Sequence, residues 1–350
     1  MVRYIIKRLL YGILVWLGVV VVIFILFQIL PGDPSRLIVG QRADAETIER
    51  IKRELGLDQP VYIQFMRYLN DVSPVSVHKK DKIKKYDVLL KLYEGEETLA
   101  VIKLPYLGRS YHTRRDVWSI IWDAFPNTAA LAFSALLLAI VFGIFFGAIA
   151  AIRHGSWIDA FISSLSTLGI STPSFFAGLI IAWLFGFLLA EYTGLPMAGS
   201  LFEIDPYKGK VLRLENLILP AFTLGIRPMA MITQMTRSAM LDIMQEQFVI
   251  TGYAKGLPAW KVTIFYVLRN ALNPVVTITS SWLAYLLTGA FFIEYIFSWK
   301  GIGLLAVKAL QNMDFPVVMG VALFSASLFV IINILTDIAY GLLDPRVSLK

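Results

Sequence analysis

Long hydrophobic runs alternate with mixed polar segments along this chain, and the first of these runs, which has no charged residue, extends from Leu9 to Leu30. As an α-helix the run would rise about 33 Å, which is enough to cross a bilayer core of about 30 Å. A cleaved signal peptide would have a shorter apolar core and a small-residue cleavage site, whereas Pro-Gly-Asp-Pro follows here at 31–34. We therefore expect residues 1–30 to form a retained N-terminal transmembrane helix.

Residues 31–126 differ from the rest of the chain, because they are charged and contain no run of spanning length. Within them, Thr47 to Leu55 is a candidate for a short helix. Tyr86 to Tyr93 and Thr98 to Leu104 predict two strands that pair as a hairpin. We interpret the segment as an extracytoplasmic loop, and we favour a solvated elaboration at 73–103 over an external functional module.

The rest of the chain contains further apolar runs, at residues 127–152, 158–190, 217–241, 275–293 and 317–343. The run at 158–190 is long and contains Pro173, so it predicts either one tilted and kinked helix or two short ones. We expect one helix, because six spans in total place both chain termini on one side of the membrane together with the polar segment 242–274. The predicted fold is an all-α polytopic membrane protein, with a core domain at 127–343 and a cytoplasmic tail at 344–350.

Composition supports a membrane protein, since 57% of the residues are hydrophobic and only 16% are charged. The net charge of +7 fits the excess of basic residues that flanks spans on the cytoplasmic side, so nucleic-acid binding is not expected. Arg153 and the basic residues of segment 242–274 lie on the same predicted side as the basic N-terminus, which places both termini in the cytoplasm. The chain has no cysteine, which excludes disulfides, thiolate metal sites and a cysteine nucleophile.

The segment from Phe248 to Pro274 mixes polar and apolar residues between two hydrophobic runs, and its pattern predicts a helix, a sharp turn and a second helix. Gly256 can take the left-handed conformation that ends a helix, and Pro258 is typical of the first turn of the next one. Gly252 has no side chain, so another helix or a protein surface could approach closely there. Such an element is suited to docking into a partner at the membrane face. The alternative is an amphipathic hairpin on the membrane surface.

This segment resembles the coupling loop of permeases from binding-protein-dependent ABC importers, in their dipeptide and oligopeptide branch. The resemblance rests on Ala254-Lys255-Gly256-Leu257 and on Arg269-Asn270-Ala271-Leu272 with Pro274. Further similar stretches follow in the family's order at 30–34, 56–60, 107–110, 294–303 and 340–346. The chain departs from the family pattern at Thr251 and Gly252, where the general motif has two alanines, at Gln234, where relatives often have arginine, and at Lys300, where proline is usual.

The resemblance implies a permease of the type I ABC importer architecture in the cell membrane. Its partners would be a second homologous permease, two ATPase subunits and an extracytoplasmic solute-binding protein. The coupling loop would insert into a groove on the ATPase subunit through Phe248, Thr251, Gly252, Ala254, Lys255, Gly256 and Leu257. No phosphate loop G-x-x-x-x-G-K-[ST] occurs, so we expect ATP and magnesium on the partner ATPase subunits. This chain is expected to bind no cofactor or metal and to be no enzyme by itself. The expected cargo is a peptide, with an oligosaccharide as second choice.

A solute pathway through lipid needs polar groups that face the interior of the bundle, and two apolar runs carry such groups at helical spacing. They are Ser163, Thr167 and Ser171 in the third predicted span, and Thr277, Ser281 and Tyr285 in the fifth. Serine and threonine also bond helices together or bond to their own backbone, which is the structural alternative. Arg227 is a further candidate, because an arginine within a span needs water or a partner, and Glu215 and Asp337 are alternative partners for it.

Two further patterns carry predictions about packing and about the outer face. Gly143 and Gly147, with Ala151 one turn on, predict a small-residue face for close helix packing. By resemblance, residues 294–303 form an external re-entrant loop, in which Glu294, Trp299 and Lys300 are candidates for the outer mouth of the pathway.

Two other classes of function compete with an ATP-driven permease. A secondary transporter driven by an ion gradient predicts inverted repeats and charged sites at the midplane, and we find no convincing repeat. In a membrane-bound scaffold or enzyme, residues 31–126 would carry the function, and they contain no recognisable set of catalytic residues. His78, His112 and His154 are read as isolated in polar loops, and neither H-E-x-x-H nor G-x-S-x-G occurs.

Overall fold

In this computed structural model of the protein, residues 2–29, 46, 49–50, 52–53, 58–80, 83 and 86–343 are described. Most of them are helical, and two small antiparallel sheets are present. The elements are α1 (Val2–Ile29), α2 (Val61–Val72), β1 (Val75–Lys79), β2 (Val88–Glu94), β3 (Thr98–Lys103), α3 (Val117–Ile152), α4 (Trp157–Ser171), α5 (Ser174–Trp183), α6 (Ala190–Thr193), β4 (Phe202–Asp205), β5 (Gly209–Leu212), α7 (Glu215–Met244), α8 (Gln247–Ala254), α9 (Ala259–Lys261), α10 (Arg269–Leu287), α11 (Phe291–Ile296), α12 (Ile302–Gln311) and α13 (Phe315–Leu343). The candidate helix at Thr47–Leu55 lies mostly outside the described residues, and the predicted tail at 344–350 lies wholly outside them.

Among the described residues, 4 helices are long and apolar enough to cross a membrane, namely α1, α3, α7 and α13. A fifth span results if α4 and the helical stretch after it are counted together. The predicted fifth span corresponds to α10, which is not in this group. The helices therefore make a multi-pass membrane protein, and the total of six spans stays a prediction.

The single helix predicted over 158–190 is wrong, because the chain bends by 108° between α4 and α5. Proline restricts the residue before it to extended conformations and lacks the N–H that would continue the helix. Thr172 accordingly has φ −75° and ψ 126°, and α4 ends there. Pro173 thus produces a break between two helices, where the sequence analysis expected a kink.

One compact unit comprises Met1–Arg8, Ala124–Leu305 and Leu328–Lys350, and α7 is its central helix. The helices α4, α5 and α10 all pack against α7. On α3, a Cβ atom added at Gly143 would lie 2.7 Å from Ile232 Cγ2, and one added at Gly147 would lie 2.6 Å from the Thr233 carbonyl oxygen. The predicted small-residue face is therefore confirmed, and it lets α3 approach α7 closely.

The other compact unit comprises Leu9–Asp123 and Ala306–Ser327. Val20 and Ile23 of α1, Val72 of α2 and Leu323 of α13 form its buried apolar cluster. Here α3 already begins at Val117, before the start predicted at 127. The predicted run at 127–152 is therefore only the more apolar part of a longer helix.

A three-stranded antiparallel sheet in the same unit has the strand order β1-β3-β2. The predicted hairpin is confirmed as β2 paired with β3, whereas β1 on the other edge was not predicted. The reading of His78 as a residue of a polar loop is wrong. It lies in β1, where alternate residues are buried, and its ring stacks on that of Tyr86 at a centroid distance of 3.9 Å. β1 has five residues, and both of its buried positions are polar, so its sequence lacks the alternating apolar pattern that predicts a strand.

Candidate coupling segment and translocation pathway

The predicted helix–turn–helix is confirmed as α8, a turn at Lys255–Pro258, and α9. Gly256 has φ +76°, which is the left-handed conformation that ends a helix with little strain only at glycine. Pro258 has φ −66° and is the N-cap of α9. A π-helical stretch at Val262–Leu268 then leads into α10. The turn is thus built from the residue types that its backbone requires. We name Gln247–Lys261 the coupling segment.

The coupling segment is held by its inner face. Val249 is 1% exposed and packs in an apolar cluster with Met240 of α7 and with Val262. A Cβ atom added at Gly252 would lie 3.5 Å from Val262 Cγ2, so the close approach predicted at this glycine is made by the chain itself. Gly252 is buried, and of the candidate coupling residues it is the one that faces inward.

The outer face of the coupling segment is uncovered. Among the candidate residues Phe248, Thr251, Ala254, Lys255 and Gly256 are exposed, and Leu257 is half-buried. The sequence analysis missed two apolar members of this face, Ile250 at 51% exposure and Trp260 at 62%. Tyr253 is also exposed, at 49%. Apolar side chains on a short, rigidly held helical hairpin fit the groove of another protein.

An ion pair joins α4 to the part of α7 that precedes the coupling segment. The Arg237 guanidinium donates from Nε to Asp159 Oδ1 at 2.6 Å and from Nη2 to Asp159 Oδ2 at 2.8 Å. Asp159 also accepts a hydrogen bond from the Gly155 N–H at 3.0 Å, and His154 Nδ1 lies 3.2 Å from its Oδ2. Asp159 is only 4% exposed, so its charge depends on these partners. Sequence reasoning missed this pair, whose members are far apart in the chain.

The stripe predicted on α4 divides into a structural and an uncovered part. Ser163 is half-buried and donates to Asp159 Oδ1 at 3.3 Å, so it belongs to the ion-pair cluster. Thr167 and Ser171 are exposed. The Thr167 hydroxyl donates to the Ser163 carbonyl at 2.9 Å and accepts from Gln234 Nε2 of α7 at 3.4 Å.

The stripe predicted on α10 lies on an uncovered face. Thr277, Ser281 and Tyr285 are all exposed, and Asn273, one turn before Thr277, is exposed as well. Ser281 Oγ donates to the Thr277 carbonyl at 3.2 Å, which satisfies the hydroxyl proton within the helix. The other side of α10 is apolar and packs against α7. The oxygen atoms of these hydroxyls remain available as hydrogen-bond acceptors.

Arg227 is exposed on α7, and within the described part of the chain its side chain has no hydrogen-bond or ion-pair partner. The two partners considered from the sequence are both engaged elsewhere. Glu215 accepts from Arg213 at 3.2 Å, and Asp337 pairs with Arg8 at 3.0 Å. Neither of the two acidic residues considered from the sequence therefore pairs with Arg227.

The outer hairpin is built around the buried carboxylate of Glu294, which is 0% exposed. Thr128 Oγ1 donates to Glu294 Oε1 at 2.8 Å and accepts from the Ile302 N–H at 2.8 Å. The Leu304 N–H donates to Glu294 Oε2 at 3.0 Å. These two side chains together cap the N-terminus of α12, where free N–H groups favour a carboxylate.

The other two outer-mouth candidates differ from each other. Trp299 is 0% exposed, and its Nε1 donates to the Asn127 carbonyl at 2.8 Å, so it is part of the framework of the hairpin. Lys300 is exposed, although its N–H donates to Ser200 Oγ at 3.2 Å. Of the three candidates, only Lys300 presents its side chain to solvent. In the described ranges no group of three or more histidine, aspartate or glutamate side chains could hold a metal ion.

Comparison with known proteins gives matches over nearly the whole chain. Residues 143–349 match the family "Binding-protein-dependent transport system inner membrane component", and residues 1–132 match the model of its N-terminal region. A probable D,D-dipeptide transport system permease protein, DdpB of Escherichia coli K12, is 35% identical over 96% of this chain and 94% of its own length. The di/tripeptide transport system permease protein DppB of Pseudomonas aeruginosa is 35% identical over 99% of each chain.

A third relative is the glutathione transport system permease protein GsiC of Escherichia coli O6:H1, which is 32% identical over the full length of both chains. Among solved structures, an inward-facing MetNI methionine ABC transporter gives a TM-score of 0.47 at 16% identity, over 66% of this chain and 97% of that chain. The family description names a binding protein as part of such a system, and the three relatives are permease proteins of transport systems. This chain belongs to the family of inner membrane components of binding-protein-dependent transport systems.

Proposed function

We propose that this chain is a permease subunit of an ATP-driven importer, and that it moves peptides which an extracytoplasmic binding protein delivers. The observation that carries the ATP-driven part is the coupling segment, whose apolar outer face is uncovered while its inner face is fixed to α7. The peptide part is supported by the relatives, because the three named above are permeases for a D,D-dipeptide, for di- and tripeptides and for glutathione, itself a tripeptide. Nothing observed supports an oligosaccharide or an ion-gradient mechanism over this.

The complex would contain this chain, a second homologous permease and two ATPase subunits, with ATP and magnesium bound by the ATPases. Both termini and the coupling segment would face the cytoplasm. The ATPase groove would receive the exposed side chains of the segment, including Phe248, Tyr253 and Trp260. Closure of the ATPases would draw the segment along, and the ion pair of Arg237 with Asp159 would pass the displacement from α7 to α4. Transport is then a shift between two packings of the helices, driven by nucleotide.

The pathway would follow the uncovered polar faces of α4, α7 and α10. These faces carry Thr167 and Ser171, Arg227, and the hydroxyl stripe of α10. Polar groups on the uncovered face of a spanning helix are costly in lipid, so a water-filled pathway is the environment that suits them. The hairpin with Lys300 would stand at the outer mouth.

The test is peptide uptake by the reconstituted complex, which contains this chain, its partner permease, its ATPases and its binding protein. Proteoliposomes are given an equimolar mixture of di- and tripeptides, and the accumulated peptides are measured by mass spectrometry. We expect uptake that requires ATP, magnesium and the binding protein and that is unchanged by ionophores. Uptake that is independent of ATP and is abolished by an ionophore would contradict the proposal.

A further inference from the structure

We propose that the Arg227 guanidinium binds the free carboxylate of the transported peptide during its passage through the membrane. The inference rests on the proposed function, because it needs a peptide as cargo. It adds to the proposed function the chemical group of the peptide that is recognised and the residue that recognises this group.

Arg227 lies within a transmembrane helix, where a charged side chain is costly unless it faces water or a partner. It lies near the middle of α7, which has 30 residues and is the most buried of the four long candidate spans. The side chain is nevertheless exposed. A guanidinium on an uncovered face at this depth is costly against lipid, and such residues face water, a ligand or an opposite charge.

The packing of α7 shows where its uncovered face lies. Ile226 and Ala230 face Gly169 of α4, since a Cβ atom at this glycine would lie 3.3 Å and 3.2 Å from them. Met235 belongs to an apolar cluster with Val275 of α10, and Ile232 of the same cluster also faces Gly143 of α3. Successive residues of a helix are about 100° apart, so Arg227 lies between these two contact sides.

Its neighbours towards the C-terminus of α7 agree with this placement, whereas Thr223 and Leu224, one turn before it, are buried. Met231 and Ser238, which fall on the same side of α7 as Arg227, are exposed. Gln234 is half-buried there and reaches Thr167 of α4 at 3.4 Å. Arg227 thus stands on the face of α7 that α4 and α10 border without covering it.

The charge of Arg227 is not compensated by acids on the three helices that form this region. The sequence of α10 contains no aspartate or glutamate. On α4, Asp159 is engaged by Arg237, and on α7 Glu215 is engaged by Arg213. Asp242 of α7 lies about 22 Å further along the helix axis. The site is therefore cationic, and an anionic ligand is the one that complements it.

A carboxylate is the anion that the proposed cargo always carries. Peptides differ in their side chains, but each has a C-terminal carboxylate, which a guanidinium binds with two parallel hydrogen bonds. Contact with this group gives one anchor for many sequences. The hydroxyl stripe of α10 offers acceptors and donors for the peptide backbone, independent of side chain.

The experiment compares a dipeptide with a free C-terminus and the same dipeptide with a C-terminal amide, using the reconstituted complex. Variants Arg227→Gln and Arg227→Lys are measured, with Met231→Gln as a matched control on the same face, one turn away. The binding protein has its own preference between acid and amide. That preference is common to all variants, so the change in the acid-to-amide ratio of uptake isolates the permease.

We expect Arg227→Gln to lower the acid-to-amide ratio of uptake roughly tenfold, because a charge-assisted hydrogen bond is lost. Uptake of the free acid should slow, and uptake of the amide should not. Arg227→Lys should give an intermediate ratio, and Met231→Gln the wild-type ratio. A wild-type ratio in Arg227→Gln would overturn the proposal. So would loss of assembly in Arg227→Gln combined with a wild-type ratio in Arg227→Lys, since the arginine would then hold subunits together. If wild-type protein takes up neither peptide, the proposed function itself fails, and this inference fails with it.

Discussion

The side chains of Arg237 and Asp159 meet in a bidentate pair, with N–O distances of 2.6 and 2.8 Å. Asp159 is in the first turn of α4, and Arg237 is in the last third of α7. Among the described residues, this ion pair connects α4 of the bent pair α4–α5 to α7, the helix that precedes the coupling segment. The pair is therefore a rigid link between the segment and the helix whose polar stripe borders the proposed pathway.

Removing one member of this pair should destabilise the protein. In Asp159→Asn, Arg237 keeps a single neutral acceptor, and we expect a loss of about 2 kcal/mol, below the usual range for fully buried pairs because Arg237 is partly exposed. Thermal unfolding in detergent measures the effect. Asp159→Asn combined with Arg237→Gln should recover part of it, because no unpaired charge remains. Equal unfolding temperatures for wild type, single and double variants would refute the assignment of a link here.

The close contact between α3 and α7 predicts that Gly147 tolerates no side chain. A Cβ atom there would meet a backbone oxygen of α7 at 2.6 Å, so a neighbouring side chain cannot simply rotate away. We expect Gly147→Val to cost about 3 kcal/mol through overpacking and to lower the yield of folded protein. Gly18 of α1 has nothing within 4 Å of an added Cβ atom, so Gly18→Ala is the control and should unfold like wild type.

The cap on α12 predicts a structural role for Glu294. Glu294→Ala removes the acceptor of the Leu304 N–H and leaves the Thr128 hydroxyl without its carboxylate, and we expect a loss of about 2 kcal/mol. Lys300→Ala, which alters an exposed side chain of the same hairpin and keeps its N–H, should unfold as wild type does. Both variants are measured by thermal unfolding. If Glu294→Ala were as stable as Lys300→Ala, the carboxylate would not hold the hairpin.

The exposed aromatic residues of the coupling segment predict a defect in coupling without a defect in folding. Trp260 is 62% exposed, so Trp260→Ala should leave the unfolding temperature unchanged. Loss of an aromatic anchor from a protein groove should weaken binding of the ATPase subunits roughly tenfold. Tyr192 of α6 is 86% exposed, and Tyr192→Ala is the control outside the segment. The readout is the concentration of ATPase subunit needed for peptide-stimulated hydrolysis. Identical values for the two variants would exclude Trp260 from the interface.

The sequence predicted the elements whose cause is local. Apolar runs of spanning length located α1, α3, α7 and α13, because each helix must satisfy its own backbone hydrogen bonds in lipid. Gly256 and Pro258 predicted the coupling turn, since few other residues suit those backbone angles. Pro173 was correctly seen as an interruption, but whether a proline kinks or breaks a helix depends on what packs beside it.

The features that were missed depend on residues far apart in the sequence. Arg237 and Asp159 pair only because α4 and α7 lie side by side, and neither residue carries a local sign of the other. Glu294 appeared as a candidate for the outer mouth, whereas the structure buries it as a cap for α12. Arg227 was identified by the cost of its charge in a span. Only the three-dimensional arrangement shows that its proposed acidic partners are engaged elsewhere.

Site-specific cross-linking tests most directly whether the coupling segment docks into an ATPase subunit. The chain has no cysteine, so a single cysteine introduced at the exposed Ala254 can carry a photoreactive maleimide without further changes. The same label at Tyr192 is the control. In membranes that contain the whole complex, we expect label at Ala254 to cross-link to the subunit that carries the phosphate loop, and label at Tyr192 not to do so. If label at Ala254 reacts only with lipid while the complex hydrolyses ATP, the segment is a membrane-surface hairpin and the account of coupling is wrong.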